Sequence, residues 1–467
     1  MAEPSLKKNF AYKGLLTIAN PIMGIITFPY ISRVLGVENV GLVNFVDNTI
    51  SYFLLFATMG IGSIGVRAIA AAKGSQEELD KTFSNLFGMN LLFTLVVLGV
   101  YTLLIGVVPK FSQYTELFYI GTAKILFSSL LIEWFFNGIE DFKYITVRTL
   151  LIRTLYIASV FLIIKGPQDY KLYFIMTTAV VIINAVVNLF YSRKFVRINL
   201  NQLFSSKFFK ENILLGIYAI MTSMYLTFNV MYLGLVSDNV EVGYYTSAFK
   251  LYNLILSVFT AFTSVMLPRM SSLIAEGNDE RARTLLNRSF DFVVHFAIPL
   301  FLCGGVLAPE IIYLLCGSGY EGAILPMRII MPAIVFVAIA QIIAVQIIMP
   351  LKRDKVLLGA SLSGAFISLI INITIVPHLH SLGSAIVLLV SEFVVTLIYV
   401  IYAMSAKLYS IDLKAFVLPL AKSIPCVLIC LASQRLFANP IIVLTVSAIL
   451  SVIVYMVLNV RLLRRML

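Results

Sequence analysis

Apolar residues occur along this chain in long runs, separated by short stretches that carry most of the charged and turn-forming residues. A helix needs about 20 apolar residues to cross the hydrocarbon core of a bilayer, and about fourteen of the runs approach or reach that length. The pattern predicts an all-α, polytopic integral membrane protein. The predicted spans are 12–35, 40–66, 84–108, 115–138, 147–165, 171–192, 211–236, 243–268, 289–315, 324–350, 356–377, 382–406, 413–436 and 440–461.

The composition indicates the same class. Hydrophobic residues make up 60% of the 467 residues and charged residues only 12%, with a mean hydropathy of +0.96. Soluble domains carry roughly a quarter charged residues. The first apolar run follows Lys7 and Lys8, as in a signal peptide, but it is longer than a signal h-region and lacks a small-residue cleavage site. We therefore interpret it as the first span.

The basic residues are distributed asymmetrically about the predicted spans. The net charge is +12, and all but eight of the 35 Lys and Arg residues fall on one side, including Arg148 and Arg153 at the start of the fifth span. By the positive-inside rule both termini face the cytoplasm, which requires an even number of spans. We attribute the basic excess to topology and to contact with anionic membrane lipids, and we expect no nucleic-acid binding. The eight exceptions are Arg33, Lys110, Lys124, Lys165, Lys171, Lys250, Arg328 and Arg435.

An internal repeat appears without gaps at a constant offset of 202 positions. Several matched positions lie in loops, where an apolar bias does not produce matches. Because the offset contains six spans, the pattern predicts two six-helix bundles with pseudo-two-fold symmetry about the membrane normal. We expect an N-terminal bundle with its linker at 1–204, a C-terminal bundle at 205–406 and two additional transmembrane helices at 407–467. The matched pairs are Gly14–Gly216, Tyr30–Tyr232, Gly41–Gly243, Arg67–Arg269, Glu78–Glu280, Thr82–Thr284 and Asn85–Asn287.

Two blocks of motifs carry a resemblance to a known family. The first repeat contains FPYISRVLG (28–36), VG (40–41), MGIG (59–62) and VR (66–67), and the second contains VGYY (242–245), AFKL (248–251) and LPRMS (267–271). Over essentially its whole length the chain resembles the oligosaccharide flippase (Wzx-like polysaccharide transporter) family. That family belongs to the superfamily of multidrug and toxin extrusion exporters and lipid II flippases.

The resemblance implies a location, a mechanism and a cargo. The protein would lie in the bacterial cytoplasmic (inner) membrane, and its two bundles would alternate between inward and outward openings. The implied cargo is an undecaprenyl-diphosphate-linked oligosaccharide repeat unit for O-antigen, capsule or exopolysaccharide assembly. A polysaccharide polymerase and a chain-length regulator are the implied protein partners.

Ionisable residues inside predicted spans are costly in a bilayer and usually face a cavity or a partner. Four of them, Asp47, Lys124, Lys250 and Glu392, lie about 10–15 Å below the predicted outer surface, at a depth that allows one shared layer. We expect cations in this region to bind the diphosphate of the cargo, and Asp47 to pair with Lys250 or Lys124 when cargo is absent. The alternative is that these groups form structural salt bridges or extend toward the membrane surface. The predicted cargo-binding cations are Arg33, Lys124, Lys250 and Arg328.

The sequence contains no phosphate-binding loop of the ATPase type, so we expect no nucleotide cofactor. Transport would then be driven by an ion gradient or by consumption of the exported cargo. Asp47, Glu133 and Glu392 are the candidate carriers of H⁺ or contributors to Na⁺ binding, and a packing role for these carboxylates is the alternative. Near Glu392, Asn372 and either Asn229 or Thr227 are predicted to supply neutral oxygens.

Other functions fit the sequence less well. An integral-membrane enzyme requires a catalytic constellation, usually on a large outer loop, but the loops on that side are short and the three histidines form no site, so we expect no enzymatic activity. A multidrug exporter of the same superfamily is an alternative, although the cationic layer disfavours it. A flippase for lipid II or a teichuronic-type lipid-linked glycan is a nearer alternative. The four cysteines lie in apolar segments and are expected to be small core residues.

Overall fold

The computed structural model describes residues 6–203, 205–405 and 414–460, in which every regular element is a helix. This confirms the all-α prediction. In the first half of the chain the helices are α1 (Leu6–Thr58), α2 (Ile61–Ala72), α3 (Gln76–Val107), α4 (Pro109–Gln113), α5 (Thr115–Ser129), α6 (Glu133–Gly138), α7 (Phe142–Ile163), α8 (Tyr170–Ser192), α9 (Phe209–Ser223) and α10 (Thr227–Val236).

The remaining helices lie in the second half of the chain. They are α11 (Asn239–Ala275), α12 (Asp279–Val306), α13 (Ala308–Cys316), α14 (Ile324–Ile330), α15 (Ala333–Ile343), α16 (Asp354–Thr374), α17 (Val376–Ser405), α18 (Lys414–Leu436) and α19 (Pro440–Leu458). A π-helical turn at Ala344–Ile348 continues α15. Parts of the predicted spans 382–406, 413–436 and 440–461 lie outside the described residues.

The helices account for the predicted number of spans. Within the described residues, twelve helices are long and apolar enough to cross a membrane, and the pair α9–α10, bent by 56°, makes thirteen. Helix α1 has 53 residues, about 80 Å at 1.5 Å per residue, which is more than twice the thickness of the hydrocarbon core. It is interrupted at Gly36, whose φ of 76° and ψ of 167° suit glycine alone. Its two arms correspond to the predicted spans 12–35 and 40–66, and the twelve or thirteen candidate spans are close to the predicted number of about fourteen.

Several predicted spans are not continuous helices. The predicted span 115–138 breaks at residues 130–132, where Ile132 has a left-handed φ of 40°. The break is stabilised by two asparagines, because the amide of Asn90 donates to the carbonyl of Ser129 at 3.0 Å and the amide of Asn188 donates to the carbonyl of Leu131. Similarly, the predicted span 40–66 ends early, at Thr58, and α2 follows as a separate helix.

The fold consists of two compact units that divide between Met231 and Tyr232. Helix α9 therefore belongs to the N-terminal unit, where the amide of Gly60 donates to the carbonyl of Asn212 at 3.2 Å. The core of this unit is an aromatic cluster around Phe83, Trp134 and Phe135, in which the rings of Phe83 and Phe135 lie 5.0 Å apart. The finer division at 1–204, 205–406 and 407–467 stays a prediction.

The C-terminal unit is held together by a polar contact between two helices and by a small apolar cluster. Helices α16 and α17 form a hairpin, and the amide of Ser381 after its turn donates to the carboxylate of Glu241 on α11 at 3.0 Å. Helix α18 packs on α12, and a small apolar cluster of Leu307, Cys430 and Val443 joins the end of α12 to α18 and α19. All four cysteines are free thiols, and Cys303 is the least buried of them.

Candidate functional site

A partly buried ion pair joins α1 and α5 in the N-terminal unit. The ammonium of Lys124 binds the carboxylate of Asp47, and it also lies 5.9 Å from the centre of the Phe174 ring. The Lys124 side chain is 12% exposed and the Asp47 side chain 39%, so the carboxylate is the more accessible partner. Of the two partners that the sequence allows for Asp47, the structure therefore gives Lys124.

Asp47 belongs to a polar stripe on α1. Asn44 and Asn48 lie one helical turn or less from it and are, like Asp47, partly buried. Each of these asparagines donates its amide to a carbonyl of its own helix, at 2.7 Å to Val40 and at 2.8 Å to Asn44. A ligand that approaches this face meets amide oxygens and a carboxylate that is already bound to a cation.

A second ion pair, between a buried arginine and an exposed glutamate, lies at the break between α5 and α6. Arg148 on α7 donates to the carboxylate of Glu133 at 2.7 Å and also to the side-chain oxygen of Asn188. The same oxygen of Asn188 accepts a hydrogen bond from the hydroxyl of Tyr144 at 2.9 Å. The Arg148 side chain is only 5% exposed, whereas that of Glu133 is 49% exposed. Glu133 is thus held by a buried arginine that the sequence assigned to the cytoplasmic side.

Arg148 and Arg153 lie further along their helix than the predicted span 147–165 indicates. Helix α7 begins at Phe142, five residues before the predicted start of the fifth span, so both arginines lie well inside a helix long enough to cross the membrane. The rule that intramembrane arginines are functional or paired identifies both residues once the helix boundary is known. Asn188 carried no signal in the sequence.

Two other predicted cations bind backbone carbonyls. Arg328 donates from its Nε to the carbonyl of Gly305 at 3.1 Å, and Arg33 donates to the carbonyl of Pro29 at 3.0 Å. Pro309 lies four residues after Gly305 and has no amide hydrogen to give that carbonyl. Both guanidinium groups belong to exposed residues, and these bonds are consistent with structural roles.

Lys250 and Glu392 lie at a similar depth in the C-terminal unit. The hydrogen bond between Ser381 and Glu241 aligns the starts of α17 and α11, which run from this end in the same direction. Lys250 follows Glu241 by nine residues and Glu392 follows Ser381 by eleven, so their depths differ by about 3 Å. Lys250 is exposed, whereas Glu392 is buried, with 8% of the residue accessible.

Glu392 differs from the other two candidate carboxylates. Its side chain forms no hydrogen bond or ion pair within the part of the chain that the structure describes. Asn372 is fully buried and donates its amide to the carbonyl of Ser368 at 2.9 Å. It lies close to the turn of the α16–α17 hairpin, whereas Glu392 lies about 16 Å beyond Ser381 along α17, so the two are at different depths. Asn229, on α10 of the N-terminal unit, is also fully buried.

Comparison with known proteins gives a family and several relatives. Residues 6–274 match the model of a family described as "Polysaccharide biosynthesis protein". The chain is 23% identical over 412 residues to a protein named "Putative O-antigen transporter" from Escherichia coli (strain K12), across 86% of this chain and 98% of that protein. A protein of the same name from Shigella dysenteriae is 23% identical over 397 residues, across 84% and 98% of the two chains.

Solved structures share the fold. The lipid II flippase MurJ, in an inward closed conformation, is similar with a TM-score of 0.77 at 16% identity, across 98% of this chain and 99% of that one. A multidrug resistance transporter of the MATE family, in an inward-facing conformation, is similar with a TM-score of 0.60 at 15% identity, across 85% and 98%. At these identities the similarity establishes the fold alone.

Proposed function

Because the chain belongs to the polysaccharide biosynthesis protein family, we propose that it is a flippase for a lipid-linked glycan in the bacterial cytoplasmic membrane. The proposed cargo is an undecaprenyl-diphosphate-linked oligosaccharide repeat unit for O-antigen, capsule or exopolysaccharide assembly. The names of the two relatives, which match over more than four fifths of the chain, support this cargo class. Transport would proceed by alternating inward and outward openings of the two units.

The observation that carries the proposal is the ion pair between Lys124 and Asp47, within helices that cross the membrane. An ionic headgroup can pass through a protein in a bilayer only if groups of the protein replace its hydration. A diphosphate carries more negative charge than one carboxylate and offers more oxygens to an ammonium group, so it can displace Asp47 from Lys124. After release of the cargo, Asp47 would bind Lys124 again, so that no charge stays unpaired. Lys250 is the corresponding cation proposed for the C-terminal unit.

We further propose that an ion gradient drives the cycle and that Glu392 carries the coupling ion. Asp47 and Glu133 are each bound to a cation, whereas Glu392 is buried without a partner among the described residues. An unpaired carboxylate in a membrane is stable in its protonated form, and it must bind a cation when it ionises. H⁺ fits this environment directly. Na⁺ would require several oxygens around Glu392, for which Asn372 and Asn229 were the predicted donors.

The test uses purified protein in liposomes that contain a fluorescent undecaprenyl-diphosphate oligosaccharide. An impermeant glycan-cleaving enzyme outside the liposomes reports how much of the glycan becomes exposed, with and without H⁺ and Na⁺ gradients. We expect protein-dependent exposure, a loss of at least tenfold in Lys124→Ala, and stimulation by a gradient. Lys165→Ala is the control because Lys165 donates to a carbonyl of its own helix end, at Phe161.

Two results would contradict the proposal in different ways. Exposure of lipid II but of no oligosaccharide cargo would assign the protein to a neighbouring class of lipid-linked glycan flippases. Export of a cationic dye with no glycan exposure under any gradient would indicate a multidrug exporter. Normal exposure with Lys124→Ala would leave the function in place and return the pair with Asp47 to a structural role.

A further inference from the structure

Arg153 lies at the middle of a membrane-spanning helix. Helix α7 runs from Phe142 to Ile163, and eleven residues, about 16 Å, separate Phe142 from Arg153. An arginine side chain extends far less than that, so the guanidinium group cannot reach either membrane surface from this position. Arg153 is partly buried, and a charge at this depth needs an internal partner or a polar cavity.

Arg153 forms no ion pair with any residue that the structure describes. Within the described part of the chain it forms no hydrogen bond and no salt bridge. The acid that acts on Arg153 is Glu133, which lies within electrostatic range but is bound to Arg148. On its other side Arg153 interacts with Tyr156, one turn further along α7. Arg153 therefore differs from Lys124 and Arg148, which are both neutralised.

A polar track runs from Arg153 to both ion pairs of the N-terminal unit. The Tyr156 hydroxyl lies next to that of Tyr173 on α8, and both tyrosines lie within electrostatic range of Asp47. Toward the other end, Glu133 connects Arg153 to Arg148. The track consists of Arg148, Glu133, Arg153, Tyr156, Tyr173, Asp47 and Lys124.

The charge balance of this track singles out Arg153. The track contains three cations and two carboxylates, so it carries one net positive charge. Lys124 is paired with Asp47 and Arg148 with Glu133. The remaining charge is that of Arg153. The two pairs lie on opposite sides of the break in the α5–α6 span, since Lys124 precedes the break and Glu133 follows it. Nine residues separate Lys124 from Glu133, about 13 Å along the span. Arg153 interacts directly with Glu133 at one end, and Tyr156 and Tyr173 connect it to Asp47 at the other.

We propose that Arg153 is a binding site for the diphosphate of a polyisoprenyl-linked cargo, placed between the two ion pairs. This rests on the proposed function for the identity of the lipid, whereas the affinity for a diphosphate follows from the track itself. The guanidinium fork binds two phosphate oxygens at once, and no protein carboxylate has to be displaced first. A diphosphate at Arg153 lies beside the pair of Glu133 and Arg148, where Arg148 exchanges the carboxylate for a phosphate oxygen. Tyr156 and Tyr173 connect this position to the pair of Asp47 and Lys124.

The test measures binding separately from transport. Farnesyl diphosphate, farnesyl monophosphate and farnesol are the probes, and each is titrated into the purified full-length protein in detergent. We expect Arg153→Gln to weaken farnesyl diphosphate binding at least tenfold and to leave farnesol binding unchanged, because the lost contact is to the phosphates. Arg193→Gln is the matched control, since Arg193 is exposed and its guanidinium lies 4.9 Å from the ring of Phe190.

Arg153→Lys keeps the charge and removes the fork. We expect several-fold weaker binding of the diphosphate and a smaller preference over the monophosphate. If Arg153→Gln does not fold, Arg153→Lys still tests whether Arg153 binds the diphosphate, because it keeps a positive charge at this position. Equal affinities of wild type and both folded variants for farnesyl diphosphate would overturn the proposal.

The glycan-exposure assay, run on the same variants, distinguishes failure of this proposal from failure of the proposed function. If the wild type exposes no glycan but binds farnesyl diphosphate in an Arg153-dependent way, the anion site holds and the cargo is a different anionic lipid. If the wild type exposes glycan and Arg153→Gln does so at the same rate with unchanged affinity, the function holds and the role of Arg153 is wrong.

Discussion

The Nε of Arg328 donates a hydrogen bond to the carbonyl of Gly305 at 3.1 Å, across 23 residues of sequence. In a continuous helix the amide of residue 309 would approach this carbonyl, but residue 309 is proline and lacks the hydrogen. The bond thus lies at the junction where α12 ends at Val306 and α13 begins at Ala308. It gives Arg328 a role in holding this junction, independent of cargo.

We therefore expect Arg328→Gln to lower the stability of the protein and to leave the rate of glycan exposure per folded molecule unchanged. The loss should be below about 1 kcal/mol, since the group is exposed and solvent weakens the bond. Thermal unfolding in detergent measures it. The double variant Arg328→Gln with Pro309→Ala should regain stability, because alanine restores an amide donor. A loss of transport without a loss of stability would instead support cargo binding by Arg328.

The close approach of α2 and α6 gives a second prediction, which uses the single tryptophan of the chain. A Cβ atom on Gly65 would lie 2.7 Å from the ring of Trp134, whereas one on Gly62 would have no atom within 4 Å. We expect Gly65→Ala to shift the emission of Trp134 and to lower the unfolding temperature by several degrees, since the ring must move within a packed core. Gly62→Ala is the matched control on the same helix and should change neither. Equal effects of the two substitutions would contradict this packing.

The sequence predicts the membrane spans of this fold but not the break at residues 130–132. The bilayer requires long apolar helices, so the apolar runs locate most of the spans correctly. The break at residues 130–132 has no local signal, because Leu130, Leu131 and Ile132 are apolar residues in the middle of an apolar run. It depends on hydrogen bonds from Asn90 and Asn188, which are distant in the sequence.

The sequence predicts only part of the candidate site, because the pairing of its charges depends on contacts between helices that are distant in the sequence. Periodicity and charge identify Asp47 and Lys124 as intramembrane ions, but they do not decide between Lys124 and Lys250 as the partner of Asp47. That choice depends on which helices are neighbours, and α1 packs against α5. Arg153 was grouped with the basic residues of one side because it lies six residues into the predicted span 147–165, whereas the helix begins at Phe142 and places it near the middle.

The proposed exchange at Lys124 predicts opposite effects on binding and turnover. Asp47→Asn removes the carboxylate that competes for Lys124, so farnesyl diphosphate should bind more tightly, by about tenfold if one charge-assisted hydrogen bond is no longer broken. Glycan exposure should become slower, because Asp47 would no longer help to release the cargo. Glu116→Gln, which removes an exposed partner of Lys171, is the control. Weaker binding by Asp47→Asn would exclude competition at this site.

Ion coupling through Glu392 predicts a variant that transports without responding to a gradient. Glu392→Gln keeps the shape of the side chain but cannot bind or release a proton. We expect glycan exposure to lose its dependence on an imposed H⁺ gradient, while the unfolding temperature is unchanged or higher, since a neutral amide is less costly to bury than a carboxylate. Glu241→Gln provides a comparison, because Glu241 accepts a hydrogen bond from the amide of Ser381. A gradient response that persists in Glu392→Gln would assign coupling to another group.

Replacement of Gln346 by leucine is expected to stabilise the protein and to slow transport. It is fully buried in the π-helical turn Ala344–Ile348, and within the described residues neither its oxygen nor its nitrogen has a hydrogen-bond partner. An unpaired buried amide costs about 1–3 kcal/mol, so Gln346→Leu should raise the unfolding temperature. Such turns recur at functional sites, and a polar group that is unpaired in one conformation can be paired in another. We therefore expect slower glycan exposure by the stabilised variant.

Gln341 provides the matched control for this substitution on the same stretch of helix. Its amide donates to the hydroxyl of Thr260 at 3.1 Å, so Gln341→Leu removes a bond that exists and should lower stability slightly. The two leucine substitutions should thus shift the unfolding temperature in opposite directions. If Gln346→Leu destabilises the protein as much as Gln341→Leu, the amide of Gln346 is already satisfied in this conformation. If it stabilises the protein and transport continues at the wild-type rate, the π-helical turn has no part in the transport cycle.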